Sequence, residues 1–349
     1  MNMMNMKKAS RIRIMWWLII CSVQLMGAQG TVIRRFGEDR LMLPRQICLA
    51  GDEVYVLDEY GAMTSGDEKI VVFTLNGDFK MEFGRGGAGP GEFGEAIAID
   101  VVSGKIYILD SLRLQIHIFS QKEKKFLESR RILRSNATAS FTTPSDLLVT
   151  ADEQIYLNTA RFLQGQKLIA KLIPVSSFEL KVEKDFLDCI PLYKDLKERL
   201  DLSPAKRNEP DTIRKSYLNK GYITNVGNKI YFTYWLINKV YELSMTGALL
   251  NQYTLPVQSI DKTVKVKKSG IYFTLDHKLN YSLISDKNQL YVMSRDINGD
   301  TLIFQLVKGQ FTEICRIKEM LFGGAISGKK LFAIGGDESE IVIYDMNTK

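Results

Sequence analysis

Histidine and cysteine are scarce in this chain of 349 residues, which holds two of the first and four of the second. His117 and His277 cannot supply a three-histidine zinc site. Beyond Cys21 in the first thirty residues, only Cys48, Cys189 and Cys315 remain; they have neither metal-ligand spacing nor a disulfide framework, so one bridge at most is expected, with one thiol left over. No G-x-S-x-G nucleophile elbow occurs. Charge of one sign is also thin. The formal net charge is +7, but Lys7, Lys8, Arg11 and Arg13 lie in the first thirty residues without a single acid, which leaves +3 for the rest. Nucleic-acid binding needs a dense basic surface to displace counterions, and +3 supplies little of one. The lysines at 262, 265, 267 and 268 read as a solvated edge.

Long hydrophobic runs are absent too. The longest candidate, Ile14 to Met26, follows the basic start and gives way to Gly27, Ala28 and Gly30. It falls short of the roughly 20 residues that span a bilayer. A basic start, a short apolar stretch and small residues describe a secretory signal peptide over residues 1–30, cleaved near Ala28 to Gly30. An N-terminal membrane anchor is the alternative. Lipid attachment at Cys21 wants a small residue before it, and Ile20 stands there. The expectation is an exported, soluble protein, periplasmic or extracellular, with one domain over residues 31–349.

What the chain has is a recurring phrase. "EVYVLD" at Glu53 returns as "KIYILD" at Lys105, "QIYLNT" at Gln154, "KIYFTY" at Lys229, "QLYVMS" at Gln289 and "KLFAIG" at Lys330. Each follows a turn rich in Gly, Asp or Asn, an apolar run precedes that turn, and a third strand comes after a polar loop. Asn76-Gly77 marks the hairpin to a fourth strand. Four antiparallel strands repeated every 40 to 75 residues or so predict a β-propeller. Both faces of such a blade are buried, so the second strand is apolar throughout rather than alternating. The last unit stops at "EIVIYDMNTK" after its third strand, and "TVIRRF" at Thr31 resembles a fourth. The fold expected is all-β: a six-bladed propeller closed by its N-terminal strand. Residues 185–220 form a longer link between blades 3 and 4, where leucines 192, 196, 200 and 202 predict a partly helical insertion.

The stretch "FGRGGAGPGEFGE", Phe83 to Glu95, contains G-x-G-x-x-G twice. A dinucleotide site needs those glycines to open a helix. Here the strand "EAIAID" follows, so they read as a sharp turn from the rim of one blade to the centre of the next. The segment "FGRGGAGPGEFGEAIAIDVVSGKIYILDSLRLQIHIFSQKEKKFL" resembles an NHL repeat, and residues 44–84 carry a second copy. The remaining units keep only the strand skeleton. The resemblance implies an exported bacterial six-bladed propeller and names no reaction.

In a propeller the links into each first strand and from second to third strand open on one face, the default place for function. Candidate ligand-binding residues there are Arg45, Arg85, Glu95, Arg113, Arg161, Trp235 and Arg295. Their guanidinium groups suit an anionic ligand, and Trp235 offers an aromatic platform. The competing reading pairs them locally with Asp58, Asp110, Glu92 and Asp296. Asp58 and Asp110 are expected to accept backbone N–H bonds in the loops they begin. "DINGDT" at Asp296 lacks the ligand run of a calcium loop and reads as a turn. The leading functional expectation is a non-catalytic binding module that presents its channel face to a peptide, protein or glycan. It is expected to be monomeric, without nucleic acid, membrane span or cofactor. The alternative is a calcium-dependent hydrolase or lyase of the lactonase-like kind, with Ca²⁺ held by scattered carboxylates.

Overall fold

The computed structural model describes residues 28–59, 68–133, 144–159, 167–188, 220–235, 237–257, 265–267, 270–272, 279–336 and 339–347. Blade 1 is Pro44–Ala50, Glu53–Asp58, Lys69–Thr74 and Phe79–Phe83, an antiparallel meander from the centre outward. Blade 2 follows as Ala96–Val102, Lys105–Asp110, Gln115–Ser120 and Phe126–Ile132, and blade 3 as Asp146–Val149, Ile155–Asn158, Lys167–Ser176 and Glu179–Asp188. Blade 4 is Gly221–Val226, Lys229–Tyr234, Lys239–Ser244 and Leu249–Thr254; blade 5 is Asn280–Asp286, Gln289–Arg295, Thr301–Val307 and Gln310–Ile317. Blade 6 takes Gly324–Ser327, Lys330–Ile334 and Ile341–Asp345 from the end of the chain. Its outer strand is Thr31–Phe36, antiparallel to Ile341–Asp345 with Phe36 opposite Ile341. Each first strand packs beside the next, and that of blade 6 returns to that of blade 1. The ring is six-bladed and closed by its N-terminal strand.

The second strands explain how the blades adhere. Successive residues of a strand point to opposite faces. Val54 and Val56 face blade 6, packing with Phe332 and Ile343. Tyr55 and Leu57 face blade 2, packing with Ile106 and Ile108. Every blade does the same, so the described core divides into six apolar clusters, one per blade interface. The recurring tyrosine carries a polar tip at the end of this packing. Tyr55 donates to Glu53, which also takes Lys124 at 2.6 Å, and Tyr156 donates to Gln154 at 2.8 Å.

Two features depart from the expected layout. Residues 185–188 belong to the outer strand of blade 3, not to a helix, because the sheet hydrogen bonds of "KVEKDFLD" continue to Asp188 opposite Lys167. Residues 189–219 lie outside the described residues. The hairpin of blade 3 also reaches back, pairing Glu179 and Leu180 in parallel with Arg131 and Ile132, so blades 2 and 3 share one eight-stranded sheet. Blade 5 receives the same treatment from Ala28 and Gln29, which lie parallel to Cys315 and Arg316. Gly30 then passes so close that a Cβ would meet Ile317 at 2.8 Å.

Closure is fastened by Arg35. Its guanidinium donates to Glu319 at 2.7 Å and to Glu340, while Tyr344 donates to the same Glu319 at 2.5 Å. Glu340 is buried. Removing one partner of a buried ion pair strands the other charge, at about 3–5 kcal/mol; the half-open position of Arg35 reduces this to roughly 2 kcal/mol. We expect Arg35→Ala to lower the melting temperature by about 4–8 °C, and Glu340→Gln added to it to recover part of the loss. Equal melting of Arg35→Ala and the parent chain would show that this clamp does not hold the ring.

Candidate functional site

The six first strands enclose a channel of ≈560 Å³ lined from every blade. Being innermost, each leaves one row of backbone N–H groups without a ladder partner, and these must be paired or wet. Side chains from the preceding blade take several of them. Gln46 accepts from Ile99 N–H at 2.8 Å, Asp100 from Val149 N–H at 2.7 Å, and Asp146 from Ile223 N–H at 2.9 Å. Thr224 meets Ser285 at 3.2 Å, and Ser282 donates to the Gly324 carbonyl at 2.9 Å. These bonds fix the spacing of the blades around the channel.

At the upper mouth, where the first strands begin, Asp58 accepts from the N–H groups of Met42 and Leu43 at 3.0 and 2.8 Å. Asp110 does the same for Gly94, Glu95 and Arg113 at 2.7, 3.3 and 3.0 Å. Burial would raise the Asp110 carboxyl, but His117 and these N–H groups outweigh it and hold the group below its ordinary range. His117 itself is buried, with Ser129 at 2.8 Å from Nδ1. His277 lies outside the described residues, and Cys48 and Cys315 are free thiols. The glycine-rich link runs straight into the first strand of blade 2. At Gly91, φ is +75° and a Cβ would meet the Phe126 ring at 2.9 Å.

The seven candidate residues divide. Arg113 donates to the Glu92 carbonyl at 2.8 Å and to the Gly87 carbonyl, so it braces the glycine-rich link. Arg85 pairs with Glu92 at 2.7 Å. Both follow the local-pairing reading. Arg45 pairs with the buried Glu59, a partner the sequence did not suggest. Glu95 accepts from Ser111. The Arg295 guanidinium lies against Gly299, and Asp296 is taken instead by Arg316 at 2.7 Å. Arg161 lies outside the described residues. Trp235 stacks at 6.0 Å from Tyr222, with the Lys220 ammonium 5.2 Å from its ring centre.

Lys220 was missed by sequence reasoning, being one lysine among several at the end of the long link 185–220. Burial lowers its pKa, the charge of Arg45 adds to this, and Glu95 opposes it. Arg45 comes from blade 1 and Lys220 from blade 4, on opposite sides of a six-membered ring, so their coupling runs across the mouth. Glu68 is raised by burial and then by Asp110 and Glu95, against the Ala96 N–H it accepts at 3.2 Å. Arg45, Glu68, Glu95, Lys220 and Trp235 thus share one mouth. Among the described residues no three His, Cys, Asp or Glu side chains are grouped to hold a metal ion.

A family described as "DUF5128: 6-bladed beta-propeller" matches residues 38–184. The match names the architecture and not the NHL repeat. No curated protein matches the chain. Among solved structures, a protein of Bacteroides fragilis described as exported shares 12% identity over 91% of this chain and 94% of its own, with a TM-score of 0.54. A DUF4221 family member from Bacteroides vulgatus shares 10% over 91% and 98%, also at 0.54. A chain of the mitotic checkpoint complex shares 8% over 90% and 94%, at 0.52. These likenesses are of fold. No helix among the described residues is long and apolar enough to cross a membrane.

Two outcomes are expected. Arg113→Ala should destabilise the protein by about 2 kcal/mol, since two backbone carbonyls lose a charged donor, and a denaturant titration reads this; an unchanged midpoint would remove the bracing role. The second concerns pH. Burial pushes the channel carboxyl of Asp146 up to about 7 and that of Asp100 to about 6, against the N–H bonds that favour ionisation. Both lie above the value of about 3.9 for an unfolded chain, so the folded state binds protons that the unfolded state releases. Stability should therefore rise as pH falls from about 7 towards about 4.5, before Glu53 and other depressed acids begin to be lost. Asp146→Asn should flatten that rise in melting curves recorded at pH 7.5, 6 and 5. A parent melting temperature that falls steadily over this range would contradict the assignment.

Proposed function

We propose that the protein is an exported binding propeller that docks a peptide, protein or glycan on the upper face of its channel, without turning it over. The observation that carries this reading is the asymmetry between the two faces. On the lower face the first and second strands are joined, in every blade but the third, by two-residue turns such as Gly51-Asp52, Gly227-Asn228 and Gly328-Lys329. The longest stretches of sequence between blades, 133–145, 189–220 and 255–279, each leave one described strand and enter the next on the upper side. Long loops on a rigid scaffold are where binding is placed.

Part of the exposed apolar surface lies on the upper face. Met42, Leu112 and Ile297 stand in upper loops with 57%, 68% and 54% of their surface exposed, and the first-to-second-strand turns of the lower face expose no large apolar side chain, whereas Phe178 stands exposed in the third-to-fourth turn of blade 3. Exposed apolar side chains set among charged ones are the composition of a recognition surface. The chain of the mitotic checkpoint complex is an instance of this fold within a protein assembly. Export rests on the basic and apolar start of the sequence.

The test is a screen of peptide and glycan libraries, repeated with Leu112→Asp/Ile297→Asp and with a lower-face control, Asn228→Arg. A ligand should weaken by at least about tenfold, or 1.4 kcal/mol, on the upper-face variant and keep its affinity on the control. A ligand lost only on the control would overturn the reading.

A further inference from the structure

We propose that Ser129, on the outer strand of blade 2, is a base-activated nucleophile that cleaves a carboxylic ester, with His117 as its base. Asp110 positions that histidine. The sheet brings the three together. Ser129 lies opposite His117 in the pairing of third and fourth strands, and Asp110 ends the second strand beside them. Ser129 Oγ stands 2.8 Å from His117 Nδ1, and Asp110 Oδ2 stands 3.4 Å from Nε2. Hydroxyl, imidazole and carboxylate in that order are how a weak nucleophile is activated. The longer of the two contacts is of the kind that tightens when substrate binds.

The carboxylate decides which imidazole nitrogen carries the proton. Asp110 is buried and accepts the N–H groups of Gly94 and Arg113 at 2.7 and 3.0 Å, with the Arg113 guanidinium 3.4 Å from Oδ2. An anion so held draws the histidine proton to Nε2, which leaves the Nδ1 lone pair to accept the Ser129 hydroxyl. Gln115 lies 3.2 Å from the same Nε2, and its amide, turned over, presents an oxygen to that N–H. The edge of Phe93, 5.4 Å away, fixes the ring plane. His117 is buried while Ser129 is only half-buried, so the base is dry and the nucleophile meets solvent.

The chemistry balances with water as the only co-reactant. Ser129 Oγ attacks the ester carbonyl carbon, its proton passes to His117 Nδ1, and the C=O π pair moves onto the oxygen. Arg131, exposed two residues along the strand on the same face as Ser129, is the cation placed to meet that charge. Collapse of the adduct breaks the bond to the alkoxide, which takes the proton from Nδ1 and leaves as an alcohol. Water then attacks the acyl group, gives its proton to Nδ1, and Ser129 recovers it as the acid departs. Ester and water become carboxylic acid and alcohol. The site sits on the flank of blade 2, apart from the channel, and stands or falls separately from the docking face proposed above.

The test treats the full chain with an alkyl fluorophosphonate, in which the serine oxygen displaces fluoride from phosphorus, and maps the adduct by peptide mass spectrometry. Ser129 should be labelled at least about tenfold faster than the exposed Ser103 and Ser177, within the roughly 10²–10⁴ that a positioned base contributes. p-Nitrophenyl acetate should be hydrolysed by the parent chain and not by Ser129→Ala. His117→Gln, which keeps an amide beside Ser129, should melt near the parent temperature and lose the fast labelling. Asp110→Asn should lower the maximal labelling rate and leave the half-saturating probe concentration unchanged, a split that mere loosening of the loop would not give. Labelling of Ser129 no faster than that of Ser103 and Ser177 overturns the proposal. So does a stably folded His117→Gln that labels as fast as the parent.

Discussion

The inner edges of the blades set the constraint on which the rest depends. Six first strands surround a channel, and none can pair with its neighbour as strands in one sheet do, because the blades splay. Their inward N–H groups would otherwise be left to the channel water. Gln46, Asp100 and Asp146 each reach one blade onward to take such a group. The carboxylates tolerate a half-dry position because two donors converge on each of them, from Val101 and Val149 on Asp100 and from Leu147 and Ile223 on Asp146. The apolar clusters between blades supply adhesion without direction. These bonds supply the direction.

Much of the fold was legible because a propeller repeats its physics. The second strand meets the same two-sided burial in every blade, so "YVL", "YIL" and "YFT" recur where little else does. Asp58 and Asp110 were readable for a related reason: a carboxylate after such a strand has the next link within reach. The closing strand could be inferred from a missing rung at the end of the chain. The reach of the blade 3 hairpin onto blade 2 could not, since pairing between blades depends on strand twist and hairpin length and not on any residue type.

The site was less legible. Arg85 and Arg113 stand in loops, and a loop arginine looks the same whether it waits for a ligand or holds a carbonyl of its own chain. Asp100 was hidden inside an apolar run and Asp146 at the start of one, where one carboxylate resembles an ordinary break in a strand. Lys220 ends the link read as a partly helical insertion, and its lowered pKa comes first from burial and then from Arg45 on the far side of the ring. Couplings across a channel join residues far apart in sequence, and no local pattern records them.

The meeting of Thr31–Phe36 with Ile341–Asp345 also orders events in time. Thr31–Phe36 is synthesised about 300 residues before its partner, so its pairing is among the most non-local contacts in the fold. Until then blade 6 has an open outer edge, and blades 1 to 5 can form only an arc. Loop-closure entropy must be met before this final pairing contributes anything. Ring closure thus waits on the synthesis of Ile341–Asp345: a chain lacking that strand leaves "TVIRRF" without its partner.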